Sequence, residues 1–182
     1  VVTVTTPSTS GPIILLATNF DELSPGQNPL YWQDTKADNS FDVDDSLFAT
    51  AAVNTAGKRT LAFGTAVAET NIHSHYVAPG ALDWTDYTVT GRLYISHKNG
   101  GIGITVLSQF PQGRDDYYRL RTVRNQPNFH LSPHRNGIGS VDWGAAADTG
   151  VAAEPNTWYR FHLVVEDQQT QTMIRAKVWP EG

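Results

Sequence analysis

In the later part of this chain, basic and aromatic side chains recur at every second position. Tyr117, Arg119 and Arg121 form one such set, Arg160 and His162 a second, and Arg175, Lys177 and Trp179 a third. Arg92 and Tyr94 make a fourth, further upstream. Guanidinium forks grip carboxylate or sulfate through paired hydrogen bonds, and flat rings offer apolar contact. Together these are the tools for holding an acidic sugar chain. The competing reading is a solvated sheet face whose charges discourage aggregation. The sets hold six of the 13 Lys and Arg residues, although the chain carries a net charge of −5.

Bond-breaking chemistry finds weaker support. A glycosidase needs two carboxyl groups about 5–5.5 Å apart if retaining, wider if inverting. The glutamates are Glu22, Glu69, Glu154, Glu166 and Glu181, and none belongs to a Glu-x-Asp-x-x-Glu strand motif. Asp115-Asp116 reads as the entry to a strand. A lyase would need a Tyr or His base beside a cation that neutralises a uronate, and Tyr117, His162 and Arg119 supply the residue types. There is no Gly-x-Ser-x-Gly nucleophile elbow. Gly100-Gly101-Ile102-Gly103 reads as a turn entering a strand, not as a phosphate loop. His73 with His75, and His130 with His134, are pairs, whereas zinc needs three or four converging ligands. The acidic run Asp38-Asn39-Ser40-Phe41-Asp42-Val43-Asp44-Asp45 lacks the Gly and Glu of a calcium loop and reads as a solvated loop.

The elements that must position these residues are strands. Tyr87, Val89, Gly91, Leu93 and Ile95 alternate with Thr88, Thr90, Arg92 and Tyr94, which is the period of a half-buried strand. In 157–166 the expected core set is Tyr159, Phe161, Leu163 and Val165. In 172–179 it is Ile174, Ala176 and Val178, and in 117–123 it is Tyr118, Leu120 and Thr122. The basic and aromatic sets then point away from the core. Further strands are expected at 13–19, 47–52, 59–64, 71–77, 102–108 and 129–133, with 20–46 as irregular loop. Asn99-Gly100-Gly101 predicts a hairpin joining the strands on either side. No segment has a convincing 3.6-residue apolar period. The expected class is therefore all-β, a two-sheet antiparallel sandwich.

Composition narrows the setting. There is no cysteine, which excludes disulfides, thiolate metal sites and a Cys nucleophile. No run approaches the roughly 20 apolar residues of a membrane span. The acidic balance argues against nucleic acid as a partner. Residues 1–12, VVTVTTPSTSGP, read as a strand arm or linker from a preceding module, with the domain at 13–182. The start without Met suggests a mature or excised piece.

From about Ile13 to Gly182 the chain resembles LamG-like, concanavalin A-type jelly-roll modules of bacterial secreted proteins. The residues that carry the likeness are Asn19-Phe20-Asp21-Glu22, Trp84-Thr85-Asp86-Tyr87-Thr88-Val89, Gly101-Ile102-Gly103-Ile104 and Asp116-Tyr117-Tyr118-Arg119-Leu120. Asn156-Thr157-Trp158-Tyr159-Arg160 and Ile174-Arg175-Ala176-Lys177-Val178-Trp179 complete it. The resemblance implies a jelly roll on a secreted or cell-surface protein, binding polysaccharide beside neighbouring modules of the same parent chain. It also implies a structural Ca²⁺ near Asp21 and Glu22. Such modules continue with one or two strands beyond the position of Trp179, so the jelly roll is expected to lack its last strands. Strand exchange with another copy, with residues 1–6 as donor, would complete it and would make the chain a structural or adhesive subunit. Some jelly rolls are glycoside hydrolases, which keeps an enzyme as a further alternative.

Overall fold

A computed structural model describes residues 1–55, 57–109, 116–123, 126–134 and 147–182. Its strands are β1 (Val2–Thr6), β2 (Ile13–Thr18), β3 (Trp32–Thr35), β4 (Ala49–Thr55), β5 (Lys58–Gly64), β6 (His73–Tyr76) and β7 (Tyr87–Ile95). They continue with β8 (Ile102–Val106), β9 (Tyr117–Thr122), β10 (Asn128–His134), β11 (Ala147–Ala152), β12 (Thr157–Asp167) and β13 (Thr172–Pro180). Every pairing is antiparallel. The chain divides into two compact units.

The first unit comprises Val1–Thr18, Trp84–Gln109 and Asp115–Gly182 and is an all-β sandwich. One sheet runs β13-β12-β7-β1-β2 and the other β11-β10-β9-β8. The two share a core. Val4, Val89, Leu93, Phe161, Leu163 and Val178 come from the five-stranded sheet, and Val106, Leu120 and Phe129 from the four-stranded one. Tyr159 and Phe129 meet edge to face across it, 5.0 Å apart. Tyr159 is buried to its tip, but its hydroxyl donates to Ala152 O at 2.8 Å and accepts from Glu154 N at 2.7 Å. That removes the cost of burying an unpaired hydroxyl. Gly91 is required where it stands: a Cβ there would lie 2.7 Å from the Phe161 ring and 2.9 Å from Val1 O.

The expected alternation of β7, β12 and β13 is what the structure shows. Tyr159, Phe161, Leu163 and Val165 are at most 1% exposed, while His162 and Arg160 between them are exposed. Other expectations need correction. The Asn99-Gly100-Gly101 turn joins no hairpin. It carries the chain from the five-stranded sheet to the four-stranded one, where β8 pairs with β9. Strand β11 was not expected, because Ala147, Asp148 and Gly150 are residues that strands disfavour. Residues 2–6 lie between β7 and β2, pairing Val4 with both Val89 and Leu16.

The second unit contains Asn19–Asp83. Strands β3 and β6 pair, as do β4 and β5. Its interior is a ring cluster in which Phe63 lies 5.4 Å from Trp32, 5.5 Å from Phe20 and 6.0 Å from Phe48. The expected loop at 20–46 contains β3. Asp34 hides that strand in the sequence, since aspartate disfavours strands. Its backbone N donates to Asp45 Oδ1 and its carboxylate accepts from Phe48 N. Burial, reinforced by the charges of Asp45 and Asp42, raises the Asp34 pKa above the usual carboxylate range.

The contrast within β12 has a measurable consequence. Leu163→Ala should cost about 2–5 kcal/mol in urea denaturation, whereas His162→Ala, one residue away, should stay within about 0.5 kcal/mol.

Candidate functional site

Register brings most of the basic and aromatic set together on the outer face of the five-stranded sheet. Arg92 of β7 lies opposite Arg160 of β12, and Arg160 lies opposite Trp179 of β13. His162 pairs with Lys177, Val164 with Arg175, and Tyr94 with Trp158. Seven of the ten expected ligand residues therefore share one surface: Arg92, Tyr94, Arg160, His162, Arg175, Lys177 and Trp179.

Glu181 organises this surface. Its Oε2 accepts from Arg92 Nε at 2.7 Å, and its Oε1 from Arg160 Nη2 at 2.7 Å and Nε at 3.1 Å. Its backbone N donates to Trp158 O at 2.8 Å. The Arg92 guanidinium lies 4.3 Å over the Trp158 ring, which in turn packs 5.1 Å from Tyr94. Lys177 Nζ lies 5.3 Å over Trp179, and Arg175 is bonded to Glu166. Burial alone would raise the Glu181 pKa. The hydrogen bonds and charges of Arg160 and Arg92 outweigh it, so the carboxyl lies below its usual range. Trp158 and Glu181 were not among the expected site residues. Trp158 shares the parity of Arg160, and Glu181 continues the parity of Lys177 and Trp179.

The remaining three expected residues lie on the other sheet. Tyr117, Arg119 and Arg121 project from the outer face of β9, on the side away from Leu120 and the core. Tyr117 and Arg119 are nonetheless buried there, 4% and 6% exposed. Arg119 Nη1 donates to the Tyr117 hydroxyl at 3.2 Å and its Nε to Ser132 Oγ at 3.4 Å. The Tyr117 ring stacks on His134 at 4.6 Å. The lyase arrangement of Tyr117, Arg119 and His162 is not assembled, because His162 projects from the opposite sheet.

Asp21 and Glu22 are exposed in the second unit, and Asp21 bonds to Asn19 within the same turn. Among the described residues no group of three or more His, Asp and Glu side chains could hold a metal ion. Asp38 accepts from Ser40, and Asp42 from Ser46, so these carboxylates of the acidic run shape their own loop. Asp115 lies outside the described residues. His73 and His75 pack 5.5 Å apart, with His75 Nε2 bonded to Thr35 Oγ1.

No family model matches the chain, and comparisons with curated proteins and with solved structures return no significant match.

The Glu181 clamp makes a pH prediction. A lowered folded-state pKa contributes stability above the unfolded pKa, and that stability is lost as pH falls through the folded value. Urea stability should therefore decline as pH drops below about 4.5, and Glu181→Gln should flatten part of that decline. Parallel denaturation series of the two proteins between neutral and acid pH would measure it.

Proposed function

We propose that this chain is a carbohydrate-binding module of an exported protein, holding an acidic polysaccharide across the outer face of the five-stranded sheet. The observation that carries this reading is the register of β7, β12 and β13. It sets four cationic side chains, Arg92, Arg160, Arg175 and Lys177, among Tyr94, Trp158 and Trp179. Arg160 and Arg175 are more than half exposed. Among the described residues Glu181 pairs with Arg92 and Arg160, and Glu166 with Arg175.

Glu181 supports the chemistry in a second way. Its carboxylate, seated between two guanidinium forks, is the arrangement a uronate carboxylate would adopt on neighbouring arginines. The same clamp keeps Glu181 from serving as a glycosidase general acid. A glycosidase acid needs a raised pKa, and Glu181 is shifted the other way.

The test is affinity electrophoresis in gels containing polygalacturonate, with a neutral glucan as control. The double variant Arg175→Ala/Lys177→Ala leaves the Glu181 clamp intact. It should bind polygalacturonate about tenfold more weakly, the equivalent of roughly 1.4 kcal/mol. Retardation should also weaken as salt rises, because exposed charges are screened. Unchanged affinity in the double variant would remove this face as the site. Release of unsaturated oligouronides by the parent chain would replace binding with lyase activity.

A further inference from the structure

We infer that His162 and Lys177 form the subsite that grips an acid group of the polysaccharide, and that His162 takes up a proton as it does so, which makes binding tighter in mildly acid solution. This rests on the reading of the five-stranded face as an acidic-polysaccharide site. His162 of β12 stands opposite Lys177 of β13 on one side and Thr90 of β7 on the other. Thr90 in turn stands opposite Thr3 of β1. Cross-strand partners have Cβ atoms about 4.5–5.5 Å apart, so one acid group placed between Lys177 and His162 meets both the ammonium and the imidazole. Lys177 Nζ lies over the Trp179 ring, which sets an apolar surface beside the same spot. The Thr90 hydroxyl, on the far side of the imidazole, suits a neighbouring sugar hydroxyl.

The outward positions around His162 are cationic or neutral. On its own strand they are Arg160 and Val164, on β13 Trp179, Lys177 and Arg175, and on β7 Thr88, Thr90 and Arg92. The carboxylates farther along these strands are engaged elsewhere. Glu181 is bonded to Arg92 and Arg160, Glu166 to Arg175, and Asp86 accepts from Asp167 N. His162 and Lys177 are both exposed, and among the described residues neither makes an ion pair. An imidazole changes its charge between about pH 5 and 8. Like charges beside the ring disfavour its protonated form, and an anion beside it favours that form. In the free protein Lys177 and Arg160 therefore oppose a further positive charge at His162, and a bound acid group offsets that opposition. Binding and protonation are then linked, with the proton drawn from the solvent, and affinity climbs as pH falls through the imidazole window. The other participants keep their charge, because lysine and arginine stay cationic there and a sugar carboxylate stays ionised above about pH 5.

Calorimetric titration of the whole chain with polygalacturonate, at one ionic strength and at about pH 8, 7 and 5.5, would test this. Each pH would be run in two buffers of different ionisation enthalpy, so that the heats report protons exchanged. Affinity should rise about tenfold from the alkaline to the acid buffer, as expected when a neutral hydrogen bond becomes charge-assisted. Net proton uptake should appear at the intermediate pH. His162→Gln should lose both the uptake and the acid-side gain. His162→Lys carries a fixed charge, and in the alkaline buffer it should bind with close to the affinity of the parent chain in the acid one. Affinity that does not change with pH, or a pH dependence and proton uptake that survive in His162→Gln, would overturn the inference. If binding then still depended on Arg175 and Lys177, the polysaccharide reading would stand without it. No binding of polygalacturonate at any pH would remove both.

Discussion

The sandwich depends on the register of β12. This strand lies between β7 and β13, and its residues 159–165 are matched on both sides. Odd positions enter the core, even positions face out. A slip of one residue against either neighbour would drive Arg160 and His162 into the interior and expose Phe161 and Leu163. Burying an unpaired guanidinium is far costlier than any packing gain, so the register has no near competitor. The same constraint that makes the core also assembles the basic face.

The arginines of the two sheets differ in their burial. On the five-stranded face the arginines meet carboxylates: Glu181 joins Arg92 and Arg160, and Glu166 joins Arg175. Exposed pairs of this kind contribute little stability, and their main effect is to hold long side chains in defined places. On the four-stranded face, Arg119 is buried among Tyr117 and Ser132. There the low local dielectric makes each hydrogen bond count for more. One face is an open charged surface, the other a tight polar layer.

How much of this was legible follows from what alternation reports. Period two says which side of its own strand a residue occupies. It therefore identified the cores of β7, β12 and β13, and the parity of Arg92, Arg160 and Lys177. It does not say which sheet a strand joins. Tyr117, Arg119 and Arg121 share the outward parity yet project from the opposite sheet, because β9 pairs with β8 and β10. Nor does it say what lies above a face, which is why the burial of Arg119 was not foreseen. The hairpin expected at Asn99-Gly100-Gly101 failed for a related reason: a turn sequence fixes a reversal of the chain, not the pairing of the strands it joins. Strands β3 and β11 escaped because Asp34, Asp148 and Gly150 earn their places through tertiary contacts and not through propensity.

The position of β1 bears on how the chain is made. Val2–Thr6 pairs locally with β2, but its other side waits for β7, more than 80 residues downstream. A hairpin forms in microseconds, whereas pairing across such a separation must first meet a large loop-closure cost. As the chain emerges from a ribosome, the β1–β2 pair therefore has for a time a bare edge that becomes the middle of a sheet. In that interval the edge shows Val2-Thr3-Val4-Thr5 to any other strand nearby. Of the two pairings β1 makes, the arrival of residues 88–91 is the one with the larger loop-closure cost.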